Sequence, residues 1–409
     1  MYILHIINLP DPSCKYCTRP TRKRTHDSLQ TAEKVKNSIM STDILKNSEH
    51  KLYKRWTFGT LSVMAAAFIL TAFITVYRDP FFHYHAPLPE YNYPQKVYPD
   101  NNERYLNDGI SRNFSYDGII TGTSMTENFK TSEADELFDA NFIKVSYAGA
   151  KYKEINDNLK RAYEEDKEIK YIIRGLDCND LILDKNALDE TFDYPTYLYN
   201  NNPFDDVSYV LNKSVLFEET LQVTKAKDGN GSSVHFDTYG NWYTFYETKF
   251  GAPYVLATYQ LRKDQTSPIS LTEEEKQILS ENLRQNVTEL AAAHPETAFY
   301  LFFPPYSICY WDLLNNTGQI DQHIEAEKLA IEELLQYPNI KLYSFYDDFE
   351  LVCNLDHYKD YMHYGESINS LILKRIKKEE NLLTQDNYKR YLKKIEDFYH
   401  SYDYDSLHS

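Results

Sequence analysis

Cysteine is scarce in this chain: five residues in 409, at positions 14, 17, 178, 309 and 353. Cys14-x-x-Cys17 has no second pair at matching spacing, so a four-cysteine zinc site is excluded and the pair reads as incidental. Cys178, Cys309 and Cys353 are odd in number, which leaves either one disulfide with a spare thiol or three free thiols. Glycine (12) and proline (16) are too few for a fibrous or low-complexity chain. Positive charge is also short. Lys and Arg total 44 against 61 Asp and Glu, a net charge of −17. The deficit is uneven. Residues 1–55 hold 11 Lys+Arg and 5 Asp+Glu, a balance of +6, so the remainder carries −23. An acidic body of that size argues against nucleic acid as a partner.

Long uncharged apolar runs are absent but for one. Trp56 to Tyr77 contains no charged residue. As a helix it would be about 33 Å long, enough to cross a hydrocarbon core. Trp56 and Tyr77 stand at its ends, as interfacial aromatics do. Lys51, Lys54 and Arg55 precede it, and Arg78 alone follows closely. That asymmetry predicts a single-pass anchor in a cell membrane, with a cytoplasmic N-terminus and residues 78–409 on the outer side. A cleaved leader fits less well, because the run is long and Arg78-Asp-Pro-Phe-Phe follows it in place of a small-x-small cleavage site. The basic segment 1–55 predicts a disordered or weakly helical tail. Met40-Ser-Thr-Asp reads as an alternative start, which would leave 1–39 outside the natural protein.

Beyond the apolar run, prolines at 80, 87, 89, 94 and 99 predict an extended linker over 78–116. A β-α rhythm then begins. Short apolar strands are expected near 117–122, 141–146, 170–174, 297–303 and 339–345. Helices are expected over 123–138, 151–165, 272–294, 319–336 and 366–378, the third opened by the capping box Thr272-x-x-Glu275. Residues 181–268 break the rhythm with Asn, Asp, Gly and Tyr clusters. They read as an insertion of loops, short helices and a hairpin. The tail 381–409 reads as a solvated helix followed by disorder. Alternating strands and helices predict an α/β fold over 117–380, with about five parallel strands between two helical layers. Ligands in such sheets bind at the carboxyl ends of the strands.

Three strand ends carry candidate chemistry. Asp117-Gly-Ile-Ile-Thr-Gly-Thr-Ser124 ends the first strand with a serine at the mouth of the next helix. A serine there serves either as a helix cap or as a nucleophile beside an anion-stabilising N–H. Gly149 follows the second strand in Ser-Tyr-Ala-Gly-Ala, and Asn179-Asp180 follows the third. Before the last helix stands Asp360-x-x-His363, a carboxylate and an imidazole within one turn of chain. Serine catalysis requires such a base and such an orienter. Asp356-His357 is a second but less well-directed pair. His83, His85 and His235 form no metal constellation in the sequence, and no metal or cofactor is expected.

This ordered set, Ser124, Gly149, Asn179 and Asp360-x-x-His363, resembles the SGNH/GDSL hydrolase superfamily, which has a flavodoxin-like sheet. The resemblance spans roughly 117–180 and 295–378. It implies Ser124 as nucleophile, the Ser124 N–H, Gly149 and Asn179 as oxyanion donors, His363 as base and Asp360 as its orienter. The first block reads Gly-Thr-Ser-Met where the family has Gly-Asp-Ser, and Asn179 lacks its leading glycine. With the apolar anchor and Phe-Pro-Pro-Tyr306-Ser after the fourth strand, the chain looks more like the membrane-tethered branch. That branch resembles the teichoic-acid D-alanylation protein and polysaccharide O-acetyltransferase domains. The implied function is an esterase or O-acyltransferase acting on an acylated envelope glycan, with Tyr306 lining the substrate site. The alternative is a catalytically inactive scaffold that binds an envelope glycan or an assembly partner.

Overall fold

The computed structural model describes residues 25–88, 103–165, 167–221, 235–245, 247–259 and 267–408. Cys14 and Cys17 lie outside them. The chain divides into two units, 1–69 and 70–409. Helix α1, Thr25–Arg78, is the described part of the first unit and runs into the second. It begins well before the apolar run, because residues 25–55 contain no proline or glycine to stop it. It is long and apolar enough to cross a membrane. Its apolar residues are exposed to the surroundings, Trp56, Phe58, Val63 and Ile69 among them.

The second unit is a mixed α/β structure around a six-stranded sheet, in the order β2-β1-β3-β4-β5-β6. The strands are β1 (Gly118–Gly122), β2 (Phe142–Ser146), β3 (Tyr171–Gly175), β4 (Ala298–Phe303), β5 (Ile340–Ser344) and β6 (Leu382–Leu383). The first five are parallel and each lies within a residue or two of its expected position. β6 pairs antiparallel with β5 and was not expected, since two leucines alone carry no period. Burial on both faces explains why β1 and β2 read as nearly continuous buried runs.

Helices cover both faces. Tyr171 and Tyr300 lie beside Phe138 of α3 (Thr131–Phe138), and the Tyr343 hydroxyl donates to the carbonyl of Ile376 in α8 (Glu366–Lys377). From the opposite face, Arg174 reaches the Tyr152 ring in α4 (Tyr152–Tyr163) and donates to the carbonyl of Asn286, just past α5 (Glu273–Leu283). Helices α6 (Ile308–Thr317) and α7 (Ile320–Leu334) follow β4. Cys178, Cys309 and Cys353 are all free thiols.

Four expectations are corrected. Residues 123–138 are not one helix: a series of turns occupies 124–128 and α3 starts only at Thr131. The stretch 78–116 is not wholly extended. Past the last proline, Glu103–Asn113 forms helix α2, with Leu106, Asn107, Ile110 and Ser111 buried at helical spacing. The insertion has short helical turns at Val207–Val210, Trp242–Phe245 and Ala252–Thr258, with no hairpin among the described residues. The tail is not solvated. Tyr388, Tyr391, Leu392, Ile395 and Tyr399 bury one face of α9 (Tyr388–Ser401), and Tyr399 stacks on Trp311 with ring centroids 3.5 Å apart. The second unit is packed through residue 408, well beyond the expected boundary at 380.

Lys144 is a buried amine on β2. Its Nζ donates to the carbonyls of Glu127 (2.5 Å) and Phe129 (2.8 Å), pinning the turns that follow Ser124. Burial pulls its pKa down to about 7. A lysine with a lowered folded value costs stability when protonated, so stability rises with pH from about 7 towards the ordinary lysine range. The slope from this group is at most about 1.4 kcal/mol per pH unit. Lys144→Met is expected to flatten that rise, as measured by thermal melts of the detergent-solubilised chain between pH 7 and 10.

Candidate active site

β1 ends at Gly122, whose φ of +146° is poorly tolerated by residues with a Cβ. A Cβ there would lie 2.7 Å from the Thr126 Cγ2. This close turn raises Ser124 at the carboxyl edge of the sheet. β2 pairs with β1 out to Gly122–Ser146, and β3 with β1 out to Thr121–Arg174. The turns after all three strands therefore share one rim, carrying Ser124, Gly149 and Asn179.

Asp360 and His363 reach the same rim on a loop held at both ends. Tyr358 bridges Tyr364, the Tyr358 hydroxyl donates to Pro305 O (2.9 Å), and the Tyr364 hydroxyl donates to Met125 O (3.2 Å). Asp360 Oδ1 accepts the N–H groups of Met362 (2.9 Å) and His363 (2.8 Å), which curls the loop so that residues 360 and 363 face each other. The His363 Nδ1 lies 3.0 and 2.9 Å from the two Asp360 oxygens, and its Nε2 lies 2.8 Å from the Ser124 Oγ. An acceptor on Nδ1 fixes the tautomer, leaving Nε2 free to take the serine proton. Burial pushes the Asp360 carboxyl up, but hydrogen bonds from the His363 ring and backbone outweigh it and hold the group at about 2. Asp360 is a carboxylate throughout the physiological range. Asp356 and His357 do not join this group: His357 Nε2 is 3.2 Å from the Asn354 amide.

Gly149 has φ +64°, the left-handed geometry glycine accepts freely, and its loop is fixed from beneath. Arg104 donates to Ala148 O (2.9 Å) and pairs with Glu154, while Glu103 accepts the Ala148 N–H (3.0 Å). Neither the Ser124 nor the Gly149 N–H has an acceptor among the described residues. Asn179 is exposed at the rim. Its Oδ1 accepts a hydrogen bond from Tyr310 (2.5 Å), which turns the amide N–H group away from that contact and leaves it to donate. The Tyr310 hydroxyl also sits 3.3 Å from Nδ1 of His323, which burial pushes down to about 3 and so keeps neutral. Tyr310→Phe would remove the bond that orients Asn179. At about 1 kcal/mol for such a bond, kcat for ester turnover is expected to fall roughly fivefold with KM unchanged, as steady-state kinetics would show.

Tyr306 is a correction. It was expected to line the substrate site, but it is fully buried and donates to Asp177 Oδ1. Asp177 Oδ2 accepts from Thr123 (2.7 Å), so Tyr306 braces the residue before Ser124 from below. Trp311 is likewise buried.

One site residue lay beyond sequence reasoning. Trp242, from the insertion, donates its indole N–H to Ser124 O (3.2 Å), and its ring stands nearly perpendicular to that of His363, centroids 6.0 Å apart. Lys359 Nζ lies over the Trp242 ring, 3.8 Å from its centroid. A lone tryptophan amid Tyr, Asn and Gly offers no period or motif that would mark it. Among the described residues no group of three or more His, Cys, Asp or Glu is placed to hold a metal; His83 sits between Asp206 (3.2 Å) and Asp108 (3.9 Å).

No protein-family model matches the chain, and no curated protein does. Among solved structures, one provisionally described as a platelet activating factor from Streptococcus pneumonia overlaps at 11% identity and a TM-score of 0.35, covering 68% of this chain and 91% of that one. An overlap at this level carries no argument about fold or chemistry.

Proposed function

We propose that the chain is a serine ester hydrolase or O-acyltransferase of the SGNH type, working through an acyl-enzyme on Ser124. The observation that carries this reading is the hydrogen-bonded relay Ser124–His363–Asp360, at 2.8 and 2.9 Å, on the carboxyl rim of the sheet. The strand order 2-1-3-4-5 supports it, as that order belongs to flavodoxin-like doubly wound sheets, with which the family is grouped.

In the proposed reaction Ser124 Oγ attacks an ester carbonyl while its proton passes to His363 Nε2. The oxyanion is held by the N–H groups of Ser124 and Gly149 and by the Asn179 amide, each worth about 3 kcal/mol. Collapse expels the alcohol, which takes the proton back from Nε2, and leaves an acyl group on Ser124. Water or a glycan hydroxyl then attacks the acyl carbon and gives its proton to Nε2. Ser124 leaves and recovers that proton. Asp360 stays ionised and steadies the imidazolium in both halves.

We further read α1 as a single-pass anchor with its N-terminus in the cytoplasm and the α/β unit outside. The support is the apolar run of Trp56–Tyr77 with its basic flank at Lys51, Lys54 and Arg55. A tether at the bilayer suits an immobile acylated envelope polymer as substrate. The class of reaction is tested by mixing stoichiometric enzyme with p-nitrophenyl acetate. A rapid release of one p-nitrophenol per chain, followed by slower turnover, is expected. Absence of both burst and turnover would oppose the reading.

A further inference from the structure

Within the insertion, the stretch 204–221 exposes five large apolar side chains. Phe204 is 87% exposed, Val207 51%, Leu211 40%, Phe217 59% and Leu221 41%. Phe204, Val207 and Leu211 are spaced three and four residues apart in and around the short helix Val207–Val210, and Phe217 and Leu221 four apart at the π-helical turn Val215–Glu219. Exposed apolar surface gathered in this way marks an interaction site.

The other side of the segment is polar and bolted to the chain just beyond α1. The Tyr209 hydroxyl donates to Asp79 Oδ1 (2.8 Å) and accepts the Phe81 N–H (3.1 Å). Asp206 accepts from the Tyr84 hydroxyl (3.0 Å) and lies 3.2 Å from His83 Nε2. Asp79 also accepts the N–H groups of His83, Tyr84 and His85, which coils residues 79–85 tightly against the end of the helix. The segment is thus hydrogen-bonded to the residues that directly follow the apolar helix. The last turns of that helix expose Phe73, Ile74 and Tyr77 in the same unit.

We infer that residues 204–221 form a second membrane contact, with Phe204, Val207, Leu211, Phe217 and Leu221 entering the headgroup–acyl boundary of the leaflet from which α1 emerges. This rests on the reading of α1 as a membrane span. Asp205, Asp206, Glu218 and Glu219 outnumber Lys213 in the segment, so attraction to anionic lipid does not drive the contact and apolar burial does. The partner that fits is a zwitterionic lipid surface.

The test uses the full chain in phosphatidylcholine vesicles with brominated acyl chains, which quench nearby tryptophan. F68W reports on the middle of α1, and F204W and F217W report on the patch, each corrected for the wild-type signal. Quenching of all three is the expected result. Quenching of F68W alone, with F204W and F217W open to aqueous acrylamide, would overturn the inference and leave the anchor standing. Chemical cross-linking of a dimer through this face would overturn it in favour of a second copy. An unquenched F68W would remove the anchor itself, and the inference with it.

Discussion

Ser124→Ala is expected to lower the rate of ester turnover by on the order of 10⁴-fold or more, with the fold intact. The Oγ is the only atom removed. It is partly exposed, and its hydrogen bond to His363 Nε2 (2.8 Å) is its only polar side-chain contact among the described residues. No cavity opens in the core, so the thermal midpoint should move little. A large loss of rate with an unchanged melt separates chemistry from a helix-cap role. A cap role is weakened in any case, because turns rather than a regular helix occupy 124–128. Steady-state kinetics with p-nitrophenyl acetate and a melt on the same preparation make the comparison.

Asp360→Asn is expected to cost about 10³- to 10⁴-fold in kcat. Asparagine can offer its N–H₂ to Nδ1, which would favour the tautomer that carries its proton on Nε2 and cannot accept from Ser124. This variant should also lose stability, with a defined sign. The folded carboxyl sits at about 2, below its ordinary 3.8. Its stabilisation is therefore fully present above about pH 4 and is lost as the pH falls towards 2. On the order of 2 kcal/mol is involved. Melts should thus show wild type above Asp360→Asn at neutral pH, with the difference shrinking below pH 4. An equal loss at every pH would mean that the carboxylate charge is not what stabilises the loop.

The parallel strands were legible because each is a short β-branched or aromatic run bounded by turn residues. Ile119-Ile120, Ile172-Ile173 and Phe302-Phe303 leave little choice. The Asp360-x-x-His363 loop was legible for a local reason: the aspartate can cap the turn that carries the histidine. Two helices were hidden. In α9 the buried stripe is built mostly from tyrosines set among lysines and acids, so composition spoke for solvent while the spacing at 388, 391, 395 and 399 spoke for the core. In α2 the preceding prolines masked a helix that starts only after them. Tyr306 misled because a tyrosine beside a rim motif looks available to ligand. Its hydroxyl is instead committed to Asp177, a partner 129 residues away that no local pattern reveals. Trp242 shows the same limit, since its place beside Ser124 and His363 is set by the insertion's long-range packing.

The central claim is that Ser124 is a nucleophile activated by His363. The most direct measurement is the intact mass of the chain after treatment with a fluorophosphonate, with the adduct mapped by peptide sequencing. The account predicts one phosphonyl group per chain, on Ser124, and its absence from Ser124→Ala and from His363→Ala. An unmodified wild-type chain, or a label that persists on Ser124→Ala, would contradict it.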